Sequence, residues 1–176
     1  MSDTSTEKLE KRTLEVMNGL LWTYKTHYKI AEAYEKWAKR GDIATAGGTG
    51  VVAVAIIWGQ LGQSILLAIA LVVAFLSWTN STLGLTSKSK DHYHAADHYH
   101  QLYEEFRDFY DLELTAGEAS YDKLKERYEG LISKREQLNL NSPRTTNKRY
   151  GQLDEEDVYG TTETTEEEVE RLKGAS

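Results

Sequence analysis

From Ile43 to Ser87 the chain carries no charged residue across 45 consecutive positions. A bilayer core about 30 Å thick is crossed by roughly 20 apolar residues in a helix. The neutral stretch is therefore long enough for two spans and a turn. The first is expected over about 43–60, IATAGGTGVVAVAIIW and its exit, and the second over about 61–83, including LGQSILLAIALVVAFLSW. Gly59-Gln60 and Gly62-Gln63 suit a short reversal at an interface. A core helix of a soluble bundle would show a polar stripe on its outward face, and neither segment has one. The fold expected is all-α: a two-helix transmembrane hairpin with long amphipathic helices before and after it.

Outside this window charge is dense, so whole-chain averages mislead. The formal net charge is −7. The segment 151–176 holds nine acidic and two basic residues and accounts for all of it. No basic patch supports nucleic-acid binding, and the acidic tail opposes it. There are no cysteines, which excludes disulfides, thiol catalysis and Cys-based zinc sites. The polar stretch before Ile43 does not read as a cleavable signal peptide, so the first apolar segment is expected to direct membrane insertion itself.

Flanking lysines and arginines set the orientation of short hairpins. Lys25, Lys29, Lys36, Lys39 and Arg40 precede the first span, Lys88 and Lys90 follow the second, and the turn has none. Both termini are thus expected in the cytoplasm of a multi-pass cell-membrane protein. Trp58 and Trp78 are placed as interfacial anchors. Small residues four apart, Ala44/Gly48 and Ala46/Gly50, then Ser64/Ala68 and Ala70/Ala74, allow close approach of helices in lipid. The spacing suits contacts within one hairpin or between subunits of a homo-oligomer.

Ahead of the spans, Leu14, Met17, Leu21, Tyr24, Tyr28 and Ala31 form one apolar stripe. That helix is expected from about Glu7 to Arg40, ending at Gly41 with Asp42 capping the next. Behind the spans, Tyr93, Ala96, Tyr99, Tyr103, Phe106 and Tyr110 mark a helix over about 88–111. Thr115 and Glu118 match a capping box opening a further helix with Tyr121, Leu124, Tyr128, Leu131 and Leu138, which breaks before Asn139-Leu140-Asn141-Ser142-Pro143. Tyrosine dominates these stripes, suiting semi-wet packing in which the hydroxyl stays hydrated. Residues 1–7 and most of 144–176 are expected to be disordered, with a short helix around 166–173.

One cluster invites chemistry: Asp91-His92-Tyr93-His94-Ala95-Ala96-Asp97-His98-Tyr99-His100. His94 and His98 share a helix face, and Asp91 lies one turn earlier; such a pair can engage a divalent metal or titrate near neutrality. A solvated polar face explains the same residues, and two histidines on one helix leave a metal site incomplete. No metal, cofactor or catalytic residue is assigned, and the chain is not read as an enzyme. Gly47, Gly48 and Gly50 lie in an apolar span without the strand or lysine of a phosphate loop. No charge sits mid-membrane, against an ion-coupled transporter.

Leu21-Trp22-Thr23-Tyr24-Lys25 before a tight two-span hairpin, then Tyr99-His100-Gln101-Leu102-Tyr103 and Tyr121-Asp122-Lys123-Leu124-Lys125-Glu126-Arg127-Tyr128-Glu129, resemble the SLATT family over residues 8–143. These are two-transmembrane effector domains that associate with SMODS nucleotidyltransferases and SLOG nucleotide-binding proteins in prokaryotes. The resemblance implies an effector in a conflict or defence system, oligomerising to perturb or open the membrane on a nucleotide signal. It also implies a cytoplasmic nucleotidyltransferase or SLOG-type sensor as partner. A membrane scaffold that recruits a cytoplasmic protein, and a metal or pH sensor working through His94 and His98, are the competing expectations.

Overall fold

The computed structural model describes residues 3–59, 62–117, 119–145, 151, 153–160 and 166–175. Among them every regular element is helical, as expected: α1 (Asp3–Trp58), α2 (Gln63–Leu83), α3 (Leu85–Asp108), a π-helical segment (Phe109–Leu114), α4 (Tyr121–Asn141), α5 (Glu155–Tyr159) and α6 (Glu166–Gly174). The reversal at Gln60 and Leu61, Glu118 of the expected capping box, the side chain of Trp58 and the Thr/Glu run 161–165 lie outside the described residues. The chain separates into two compact units, 1–29 with 91–176, and 30–90.

The first unit is a helical bundle. The expected stripes supply its centre: Met17, Leu21 and Tyr24 from α1, Ala96, Tyr99, Tyr103 and Phe106 from α3, and Leu124 and Leu131 from α4 are all buried. Phe109, Tyr110 and Leu114 of the π-helical segment join them. Two threonines enter this core without leaving a hydroxyl stranded. Thr13 donates to the Leu9 carbonyl and Thr26 to the Trp22 carbonyl, each at 2.8 Å, the i−4 bond open to a buried threonine inside a helix. The tyrosine hydroxyls are held by protein partners rather than water alone: Tyr99 donates to Asn139 Oδ1 and Tyr110 to Glu10 Oε1, both at 2.8 Å.

Several expected boundaries are corrected. Helix α1 begins at Asp3, so the described part of residues 1–7 is helical. It runs through Gly41 without a break, because the missing side chain is needed for packing rather than termination: a Cβ at Gly41 would stand 2.8 Å from Asn80 Oδ1. Asp42 does not cap a helix; its carboxylate accepts from Asn80 Nδ2 at 2.8 Å. Thr115 closes the π-helical segment, its N–H donating to the Tyr110 carbonyl, and α4 starts later, after Ser120. That helix ends at Asn141, three residues beyond the expected stop, with Pro143 just past it.

The acidic tail is the largest correction. Its described residues include α5, which was not expected, as well as α6, which matches the short helix expected around 166–173; Val158 and Leu172 are fully buried. Asp154 opens α5 with a capping box, accepting from the Asp157 N–H at 2.8 Å. High acidity pointed to a solvated coil, but two well-placed apolar side chains are enough to seat such short helices on an existing core.

Candidate functional site: the apolar hairpin and a buried histidine pair

The second unit contains two long apolar helical stretches, and almost none of either is buried within the chain. Residues withdrawn from the surface recur on α1 at Gly41, Thr45, Gly48, Val52 and Ala55, and on α2 at Leu66, Ile69, Val73 and Asn80. The 4-3-4-3 spacing on α1 is that of a helix-packing seam. Gly48 is its tightest point, since an added Cβ would fall 2.5 Å from Val73 Cγ2. The Asn80–Asp42 hydrogen bond closes one end. Past α2, Gly84 adopts φ 58°, a left-handed conformation that glycine takes freely, and it separates α2 from α3.

The two expected sets of small residues therefore part company. Gly48 belongs to the seam inside the hairpin. Gly47 and Gly50 meet nothing within 4 Å, and Ala46, Ser64, Ala68, Ala70 and Ala74 are exposed. Around them stand Ile57, Leu71, Val72, Phe75 and Trp78, all large, apolar and exposed. A continuous apolar surface of this kind is unstable in water and suited to lipid. The polar residues of the two spans are divided: the Thr45 hydroxyl is buried in the seam with no hydrogen-bond partner, whereas Thr49, Gln63 and Ser64 are exposed.

In the bundle, the histidines that the fold brings together are not the expected ones. His94 and His98 are exposed and line an open groove of about 480 Å³ with Asp91, Leu138 and Asn141. Among the described residues no three His, Asp or Glu side chains converge as a metal site. Instead His27 of α1 and His92 of α3, both buried, face each other with Nδ1 atoms 3.0 Å apart. That distance requires one ring to donate an Nδ1–H and the other to offer its lone pair. The His27 ring also stacks on Tyr99, centroids 5.5 Å apart. Burial, and then His92 itself, pull the His27 pKa down to about 4; burial lowers that of His92 too, against the pull of Asp91. Both rings are neutral at pH 7. Beside them Tyr28 donates to Asp97 Oδ1 at 2.6 Å, and burial with this bond pushes its pKa up to about 12. The signal for His27 was present in the sequence: it falls between Tyr24 and Ala31 on the apolar face of α1.

A seam of small residues inside an all-apolar exterior, flanked by amphipathic helices, defines a helical membrane protein with two spans. Residues 9–166 match the family described as SMODS and SLOG-associating 2TM effector domain family 4, and the chain belongs to it. The match runs past the expected limit of residue 143 and takes in α5. No curated protein and no solved structure matches the chain.

Proposed function

We propose that this protein is a non-catalytic effector that associates with further copies in the membrane and perturbs or opens it in a nucleotide-signal-dependent defence system. The observation that carries this reading is the outward face of the hairpin. Intramolecular packing uses Gly48 and leaves Gly50 and the neighbouring alanines uncovered, on a surface otherwise bulky and apolar. Small residues on a lipid-facing helix let a second helix approach closely, so this face suits hairpin-to-hairpin contact. The family's description supplies the association with SMODS and SLOG systems, and a nucleotidyltransferase or SLOG-type sensor is the partner that follows from it.

The seven lysines and arginines flanking the spans, against none in the expected turn, support termini on the cytoplasmic side. Cysteines introduced by Ser5→Cys and Gly62→Cys test this, because the chain has no other. An impermeant thiol reagent applied outside cells should label only the second.

The function is tested by membrane potential in cells expressing the protein with its signalling partner. Depolarisation is expected for the wild type, and Gly50→Leu should suppress it while leaving the hairpin inserted. Unchanged potential under full activation would remove the effector reading. The groove beside His94 and His98 favours a second reading, a scaffold that captures a cytoplasmic protein there. In that case Asp91→Arg should abolish capture, with no toxicity in either form.

A further inference from the structure

The acidic tail is bound to the bundle through contacts that reach both of the helices continuing toward the hairpin. On α1, Tyr159 of α5 donates to Asn18 Oδ1 at 2.7 Å and accepts from Trp22 Nε1 at 3.3 Å, while Asp157 pairs with Lys29. On α3, Glu168 of α6 is buried, accepts from the Tyr103 hydroxyl at 3.1 Å and pairs with Arg107 at 3.2 Å. Lys173 joins the two tail helices by an ion pair to Glu155 at 2.8 Å. The result is a strap with one foot on each helix.

Such a strap is built to come off. Helices of five and nine residues are too short to persist alone in water, so α5 and α6 are folded only while docked. Their apolar hold consists of few side chains: Val158 and Leu172 in the core, with Leu153 and Tyr159 packed against it. The rest is polar: a buried carboxylate satisfied by one tyrosine and one arginine, and ion pairs near the surface that contribute little. Regions with few buried apolar contacts open at a small fraction of the global unfolding free energy. The bundle beneath keeps Leu21, Phe106 and Leu131 at the middle of the cluster that Val158 and Leu172 join.

We propose that α5 and α6 form a releasable clasp that restrains α1 against α3, and that its release is the activating step of the effector. The second half rests on the function proposed above; the first does not. Leu172→Asp puts a charge in a fully buried position, and Glu168→Gln keeps the shape but weakens the bond to Arg107. Leu140→Asp, on an exposed α4 side chain, is the control.

Hydrogen exchange of the full chain in lipid nanodiscs tests the clasp. Amides of 18–29 and 103–110 should exchange about tenfold faster in Leu172→Asp, and by a smaller factor in Glu168→Gln, with α4 still protected. A change confined to 166–175 overturns the clasp. If Leu172→Asp also deprotects α4, the bundle itself has failed and Glu168→Gln decides the question. Membrane potential tests activation: both variants should depolarise cells at an expression level where the wild type and Leu140→Asp are silent. A tail that merely stabilises the fold predicts that both variants stay silent at that level and depolarise less than wild type at higher ones, and that result overturns the activating role. Should the wild type never depolarise at any level, the effector reading fails, and the exchange pattern alone decides whether the tail is a clasp.

Discussion

In the bundle Leu21, Phe106 and Leu131 are fully withdrawn from the surface, whereas in the hairpin Ile57, Leu71 and Trp78 are 79, 63 and 65 % exposed. Both units are helical, and both use 3-4 spacing at their contacts, yet they place their large side chains on opposite sides of the helix. The bundle puts bulk at the contact and charge outside. The hairpin sets small residues of α1, Gly41, Gly48 and Ala55, against medium-sized ones of α2 such as Val73, and leaves Phe75 and Trp78 outside. Water drives the first arrangement, because removing apolar area from it is the main favourable term. Lipid gives no such reward, so helices associate there by close backbone approach and a few polar bonds. The seam and the core are solutions to one packing problem in two solvents.

The contrast can be broken most sharply at its two tightest points. Phe106→Ala should destabilise the bundle by about 3–5 kcal/mol, the usual cost of emptying a buried aromatic site, read as a large fall in its melting temperature in detergent. Gly48→Leu should prevent the seam from closing, since even a Cβ collides with Val73. A cost of about 1–3 kcal/mol is typical of overpacking, and loss of cross-linking between cysteines placed on α1 and α2 should report it.

A smaller effect is expected from pH. Because His27 and His92 titrate lower in the fold than in the unfolded chain, their contribution is complete above pH 6.5 and fades as pH falls below it, for His27 toward about 4. The bundle's melting temperature should drop across that window, and His27→Gln should flatten the slope; an equal slope in the variant would assign the pH response elsewhere. Asn80→Ala should cost about 1 kcal/mol or less, the range for a polar bond between membrane helices. Leu71→Ala should sit at the bottom of the scale, near zero in detergent, because most of that side chain is exposed. If it instead approached the cost of Phe106→Ala, the hairpin's exterior would be a core after all.

The sequence made the spans legible because 45 uncharged residues admit few alternatives, and it made the stripes legible because Leu21, Tyr24, Tyr99, Tyr103 and Phe106 recur at helical spacing. What it concealed depended on partners distant in the chain. Gly41 looks like a terminator unless Asn80 is known to lie against it. His27 looks like one more polar residue unless His92 is known to face it. Val158 and Leu172 are lone apolar residues in an acidic background, and only a core already formed by α1 and α3 gives them somewhere to go. The histidines at 94 and 98 were conspicuous because they were close in sequence, whereas the pair that meets is drawn from helices 65 positions apart.

The Asn80–Asp42 bond has a further consequence. Apart from Thr45 and Asn80 the withdrawn residues of the seam are apolar, and apolar contacts carry less directional information than a polar bond. One amide set against one carboxylate acts as an index mark: sliding either helix by about 5 Å, the pitch of a turn, parts the two groups and loses the bond. Two hairpins that rearranged their contacts in the membrane would each keep the same internal alignment, and any assembly would be made from identical parts.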